Sequence, residues 1–453
     1  MKRLAALLPV LLLAACAHAP APDASEAAPP LPAGWRTTVE PQAPLRQDWW
    51  TGFGDPVLTR LVEAALANNL DVATAAARVR EARAQEALAR SQLYPTLDFS
   101  NSINRGRSLN PFGEPSTTTT RQRVFQAAYE VDLFGRIAEQ VSAAQAGTEA
   151  SEAARDAAAL SVAAATASGY ITLRSLDARL LVLQATVADR REALRVASER
   201  ADAGYTSDLE RRQAEAEYES TAQQVPQVEL AIERQEHALA LLVGAAPADV
   251  ARGVPVARLT PPPVPAGLPS DLLRRRPDIA QAERTLAAAD ATLASARAQF
   301  LPSLRLTANV GELIVSPLPD PVRIWSLGAS ILAPIFNGGR IQSQVDTAAA
   351  RREQALYGYQ RTVLTALREV EDNLSTLVHT RAQRVHLQAQ RAALADALFH
   401  AGRRYRAGYS SYLEQLDAQR GVLAADLAVI QAMADELNAL VALSQAMGGG
   451  WTP

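Results

Sequence analysis

Two hydrophobic periods alternate along this chain, and the whole alternation occurs twice. From Leu70 to Leu93, and again from Ile279 to Phe300, apolar positions recur at helical spacing. Asp71 and Asp278 suit the first turns of these helices, Pro277 fits an N-terminal position, and Tyr94-Pro95 and Leu301-Pro302 close them. The period then changes to two. Leu97, Phe99 and Ile103 alternate with Asp98, Ser100, Ser102 and Asn104; Phe125, Ala127, Tyr129, Val131 and Leu133 alternate with Gln126, Ala128, Glu130 and Asp132. In the second half, Leu304–Val310 alternates with Arg305, Thr307 and Asn309. Trp325, Leu327, Ala329, Ile331 and Ile335 likewise face away from Ser326, Gly328 and Ser330. The pattern predicts strands over about 96–105, 123–133, 303–313 and 323–335, each of the length that crosses a bilayer when tilted. Gly106–Thr120 and Glu312–Pro321 read as the loops between them.

After Gly135-Arg136 and Gly338-Gly339-Arg340 the helical period returns without a break as far as Gly204 and Gly408. About 65 residues at 1.5 Å each make a helix on the order of 100 Å long. A second helix returns from each glycine, to Gly244 and to Gly448, giving helical hairpins over about 136–244 and 340–448. In the last helix Leu416, Leu423, Ile430 and Leu437 recur every seventh position, with Leu427, Ala434 and Val441 between them, as in a coiled-coil seam. Arg420 interrupts that seam, and Pro226 is expected to bend the matching helix of the first half.

The doubling is also visible letter by letter. Asp71–Pro95 returns as Asp278–Pro302, and Ala203–Glu210 (AGYTSDLE) as Ala407–Glu414 (AGYSSYLE), each about 200 residues later. A unit that long is a duplicated supersecondary module rather than a solenoid repeat. The expected layout is residues 56–250 for the first copy, a Pro-rich linker over 251–269, and 270–449 for the second. The fold class is therefore mainly α with a membrane β portion: helix, strand, strand, long helix, helix, twice over.

Composition narrows the chemistry. Aromatics are 5% of the residues and the net charge is −3, so no basic footprint points to nucleic acid. Lys2 is the only lysine, which removes a phosphate-loop, Schiff-base or catalytic lysine. HExxH, GxSxG and nucleotide-loop motifs do not occur, so the chain is expected to be no enzyme and to carry no cofactor. His379 and His386 lie two turns apart, too far to share one metal ion; with His237 and His400 they read as solvated or interhelical residues. At the N-terminus, Lys2-Arg3 and the apolar run Leu4–Leu13 form a signal peptide over 1–15, too short to span a bilayer. Leu13-Ala14-Ala15-Cys16 resembles a bacterial lipobox, which would make Cys16 an acylated first residue anchored in lipid. Residues 16–55, rich in Pro and Ala, read as a tether.

Four membrane strands leave open edges, which lipid does not tolerate, and the smallest barrels have about eight strands. The chain must oligomerise, and strand arithmetic permits two, three or four copies. The signature Tyr129–Arg136 (YEVDLFGR), the strand–loop–strand units between long helices, and the segment GYSSYLEQLDAQR from Gly408 together resemble the outer membrane factors. These are the TolC-like exit ducts, and the chain is similar to their lipidated OprM/NodT-type branch. The resemblance implies a homotrimer with a twelve-stranded outer-membrane barrel on a periplasmic α-helical tunnel. It implies as partners a periplasmic adaptor protein and an inner-membrane RND-type transporter, with drugs or other small molecules as cargo. Protein secretion or heavy-metal export remains the alternative within that fold, and a lipid-anchored structural coiled coil the alternative outside it.

The resemblance also singles out residues. Glu414 and Asp417 share a helix face. In a trimer they would form six carboxylates at the closed periplasmic end, where crowding of like charge would raise some pKa values. Without the resemblance they read as acids stabilised by a helix N-terminus. Tyr405 matches a tyrosine that latches the tip in the best-known member, whose partner arginine is replaced here by Ser410; Arg403, Arg404 or Arg406 could take that place. Gly204 and Gly408 suit hairpin turns. Beside them, Tyr205, Thr206, Ser207, Tyr409, Ser410 and Ser411 are candidate adaptor contacts or plain exposed turn residues.

Overall fold

The computed structural model describes residues 27–37, 43–109, 112–316 and 320–451. The signal peptide, Cys16 and the start of the tether lie outside them. Helix α1 spans Pro56–Asn68 and α2 spans Leu70–Ser91, followed by strands β1 (Thr96–Leu109) and β2 (Pro115–Val131). The 67-residue helix α3 covers Arg136–Asp202, and α4 (Asp208–Ala222) and α5 (Gln224–Leu242) return from its tip. The second copy repeats the order: α6 (Pro277–Ala298), β3 (Ser303–Val315), β4 (Val322–Leu332), the 67-residue α7 (Arg340–Arg406) and α8 (Tyr412–Ala446).

The chain divides into two units, and each long helix begins in one and ends in the other. The first contains Ala77–Glu152 and Gln281–Arg361. Its four strands form one antiparallel sheet in chain order, β1-β2-β3-β4, so that the two hairpins join through β2 and β3. The edges of β1 and β4 have no strand partner among the described residues. The first hairpin reaches further than the sequence suggests: β1 runs to Leu109 and β2 starts at Pro115, so Gly106–Leu109 and Ser116–Thr120 are strand rather than loop. The Thr-rich stretch Thr117–Thr120, read as loop, is β-branched and suits a pleated ladder. At the other end β4 stops at Leu332, short of Ile335, because Pro334 cannot donate to the ladder. Within this unit Ser295 Oγ donates to the Arg136 carbonyl at 3.0 Å, and Arg352 pairs with Asp290 at 2.5 Å, binding the helical stems below the sheet.

The second unit contains Pro29–Ala76, Ala153–Ala280 and Thr362–Pro453. Asp55 organises its first half. This carboxylate is 1% exposed, caps α1 by accepting from Val57 N at 2.8 Å, and also accepts from Val254 N and the Tyr170 hydroxyl. Burial pushes the Tyr170 phenol up to about 12. In the second copy Arg276 is an anchor, held by Asp278 at 2.7 Å, Glu369 at 2.8 Å and the Ala446 carbonyl at 3.0 Å. The described part of the tether is packed rather than free. Trp35 Nε1 donates to the Gly267 carbonyl at 2.8 Å, and the backbone N–H groups of Arg36 and Thr37 donate to Glu371 on α7. An indole and two backbone donors need partners that a bare Pro/Ala tether lacks.

Pro226 acts differently from the expected bend in a continuous helix. The helix ends at Ala222 and restarts at Gln224, so Pro226 sits in the first turn of α5, where an N–H would have no intrahelical acceptor.

Candidate functional site

The sheet has two chemically opposite faces. One transverse row sets Phe99, Phe125, Val310 and Trp325 side by side across all four strands, and the next sets Leu97, Ala127, Ala308 and Leu327. These side chains are open to the surroundings: Phe99 is 59% exposed, Trp325 79% and Leu327 79%. The Phe99 and Phe125 rings lie 5.1 Å apart. Exposed Ile331, Leu133, Ile335 and Phe336 continue the apolar surface towards the helical stems. The opposite face carries Asp98, Ser100, Ser102 and Asn104 on β1, Gln122 and Gln126 on β2, Thr307 and Asn309 on β3, and Ser326 and Ser330 on β4. Although Val124, Leu313, Ile324 and Leu332 also lie on the second face, a sheet whose aromatic groups gather on one side and whose hydroxyls and amides gather on the other fits lipid outside and water inside.

The hairpin tips in the second unit are near copies of one another. Gly204 and Gly408 take φ values of 76° and 78°, which a Cβ would strain. Each lets the chain close a Schellman turn, with Tyr205 N donating to the Arg200 carbonyl at 2.8 Å and Tyr409 N to the Arg404 carbonyl at 2.9 Å. Tyr205 and Tyr409 project outward, 84% and 80% exposed. The hydroxyls of Thr206 and Ser410 are buried without a hydrogen-bond partner among the described residues. Ser207 and Ser411 occupy the N-cap positions of α4 and α8 without side-chain caps.

Just above the tips, Tyr405 of the second hairpin meets the first. Its hydroxyl donates to the Glu210 carboxylate, and Arg200 lies over its ring at 5.1 Å. Burial first, and the Glu210 contact second, push this phenol up to about 12. None of the three arginines weighed from the sequence bonds Tyr405. Arg403 stacks on Phe399, Arg404 pairs with Glu414 at 3.3 Å, and Arg406 donates to the Gly402 carbonyl. Glu414 and Asp417 are both exposed on α8, and Asp417 has no ion pair among the described residues.

One turn further along α8, Arg420 pairs with Glu217 of α4 at 2.7 Å. Glu217 is 5% exposed and also meets Arg190 of α3, itself 2% exposed, at 3.3 Å; Arg190 donates to Gln419. Burial lowers the Arg190 pKa. Tyr412 and Leu416 pack beside Ala197 and Ala214 as an apolar plug between the hairpins. Glu210, Glu217 and Arg190 were missed by sequence reasoning. Glu210 had a signal, since it occupies the place in AGYTSDLE that Glu414 holds in AGYSSYLE. His237, His379, His386 and His400 are all exposed, and no group of metal-ligating side chains forms among the described residues.

Comparison with known proteins agrees with this geometry. The family model described as outer membrane efflux protein matches residues 61–245 and 268–449, one match for each copy of the module. The solvent efflux pump outer membrane protein SrpC of Pseudomonas putida is 33% identical over 98% of this chain and 97% of its own length. The pyoverdine export outer membrane protein OpmQ of Pseudomonas aeruginosa is 34% identical over 100% of this chain and 97% of its own. Among solved structures, the outer-membrane channel OprN superposes with a TM-score of 0.89 at 31% identity, covering 97% of this chain and 100% of that one.

Proposed function

The chain belongs to the outer membrane efflux protein family, and from that premise we propose the part each of its regions plays in an exit duct. It is the outer-membrane channel of a tripartite efflux system, a homotrimer that works with a periplasmic adaptor and an inner-membrane RND-type pump. Three four-stranded sheets pair edge to edge, β1 of one copy against β4 of the next, and close a twelve-stranded barrel. The face with Phe99, Phe125, Trp325 and Leu327 meets lipid, and the Ser, Asn and Gln face lines water. Cys16, if acylated, adds a lipid anchor beside the barrel.

The observation that carries this reading is the two-faced, open-edged sheet. Its apolar face has no use in water, and its unpaired edges have no solution in lipid except closure with further copies. The hairpin tips are a second working region. Glu414 and Asp417 ring the narrow periplasmic mouth, and the Tyr405–Glu210 contact holds neighbouring hairpins in the closed arrangement. Tyr205, Thr206, Ser207, Tyr409, Ser410 and Ser411 offer the surface for an adaptor. Transport through the duct needs no chemical step in this protein. The cargo is small organic molecules, of the class that the names of the solvent-efflux and pyoverdine-export relatives suggest.

The test is accumulation of a panel of dyes, solvents and antibiotics in cells lacking this chain. Accumulation should rise, and fall again when the chain is restored. Unchanged accumulation with the protein present in the outer membrane would remove small-molecule efflux and direct attention to exported proteins or metals.

A further inference from the structure

Towards the hairpin turns the apolar face of the sheet becomes interspersed with arginine. Immediately beyond the row Phe99, Phe125, Val310, Trp325, towards the hairpin turns, the same face carries Asn101, Arg123, Glu312 and Arg323. The next row brings Arg121 between Ile103 and Ile314, the next Arg105 opposite Thr119, and the one after it Arg107 opposite Thr117, with Leu109 opposite Pro115 as the last. Five arginines therefore climb one face within four rows, spaced about 6.8 Å apart along the strands. The opposite face at the same heights bears small and polar residues such as Ser100, Ser102, Asn104 and Gln122 beside the aliphatic Val124, Leu313, Val322 and Ile324, with no arginine. An arginine-rich composition explains why the cations are arginines. It does not explain why all five point to the lipid side.

Charge is also left over. Arg123 pairs with Glu312 at 3.0 Å, and Glu312 is the only acid on this face of the described strands. Arg105, Arg107, Arg121 and Arg323 make no ion pair among the described residues. A guanidinium on the lipid side of a barrel is costly at the bilayer midplane and nearly free at the interface. The row with Arg123 and Arg323 therefore marks the headgroup level of the outer leaflet, with Phe99, Phe125 and Trp325 as the aromatic girdle beneath it. Arginine forks match phosphate oxygens two at a time.

We infer that Arg105, Arg107, Arg121 and Arg323 form a binding surface for the phosphate groups of outer-leaflet glycolipid. The inference rests on the reading that the aromatic face meets lipid. The ladder holds phosphorylated lipid against the barrel wall, taking the role that bridging divalent cations play between neighbouring lipids.

The experiment uses the full-length protein in mild detergent, titrated with bisphosphorylated lipid A and with the same lipid stripped of phosphate. The wild type should bind the phosphorylated form at least about tenfold more tightly, since each cation near a charged surface contributes roughly a factor of five. The quadruple variant Arg105→Gln/Arg107→Gln/Arg121→Gln/Arg323→Gln should bind both forms alike while keeping its trimer and its conductance. Those last two readouts report on the duct itself, so loss of lipid discrimination and loss of the channel are separable. If the quadruple variant does not assemble, Arg323→Gln alone and Arg105→Gln/Arg107→Gln should each lower the preference several-fold. Equal binding of both lipids by the wild type, or a preference that survives in an intact variant trimer, would overturn the inference. Full competition by inorganic phosphate would overturn it as well, because a lipid surface site holds its ligand by the acyl chains too.

Discussion

The contact between Tyr405 and Glu210 is a neutral donor on a carboxylate, a type of hydrogen bond worth about 1.5–3 kcal/mol. Tyr405→Phe keeps the ring beneath Arg200 and removes only that bond. In planar bilayers the variant should spend several-fold more time in a high-conductance state, and unchanged gating would mean that the bond does not hold the tip. The pH dependence follows from the phenol being pushed up to about 12 from 10.0. A raised pKa favours the protonated form, so the contribution is complete below pH 10 and is lost as pH rises through about 12. Tyr170 titrates in the same range, so the reading must be the wild-type minus Tyr405→Phe difference in tyrosinate absorbance. Arg190 makes a second residue-level prediction. Arg190→Ala leaves the buried Glu217 with Arg420 alone and should cost about 3 kcal/mol, the lower end for breaking a buried pair. Faster loss of helical circular dichroism in denaturant would register it. Tyr405 could be singled out in the sequence only through the family resemblance, and its Glu210 partner was not foreseen. Arg190 could not be singled out at all, because one arginine on a long arginine-rich helix carries no mark of the side it faces.

Element boundaries were legible wherever a period changed or a proline intervened. The ends of α2 and α6 and the starts of α3 and α7 all fall near such marks. The first hairpin was underestimated because Thr117–Thr120 and Gly106 look like loop composition, while their pairing is decided by the neighbouring strand. Pro226 shows the same limit in a helix. Sequence says that a proline is present, but its cost depends on where the hydrogen-bond ladder restarts. In a helix interior proline costs about 3 kcal/mol against alanine, whereas in a first turn it costs little. Pro226→Ala should therefore change the denaturation midpoint by no more than about 0.5 kcal/mol equivalent. A large stabilisation would show that the break at Gln223 is strain imposed by the proline and not a natural joint between α4 and α5.

At the scale of the whole assembly, the sequence required closure by further copies, since four strands expose two edges, but the number of copies came only through the family. On the proposed reading that Glu414 and Asp417 line the periplasmic mouth, three copies bring six carboxylates to it, and these are not equivalent. Glu414 has Arg404 at 3.3 Å in its own protomer, with both side chains about half exposed, whereas Asp417 has no such partner among the described residues. An exposed pair adds little stability, at most about 1 kcal/mol, yet a nearby cation still cancels much of the field that Glu414 presents to a passing ion. Asp417 should thus carry most of any cation preference. In reversal-potential measurements across a salt gradient, Asp417→Asn should reduce cation over anion permeability more than Glu414→Gln, and Arg404→Gln should increase it. The double variant Glu414→Ala/Asp417→Ala should be close to unselective. Wild-type selectivity in that double variant would place the constriction elsewhere and leave these acids as stabilisers of the α8 N-terminus. The Arg404→Gln channel separates the two roles independently, because removing a cation from a helix end has no reason to change which ions pass unless the carboxylate beside it faces the pore.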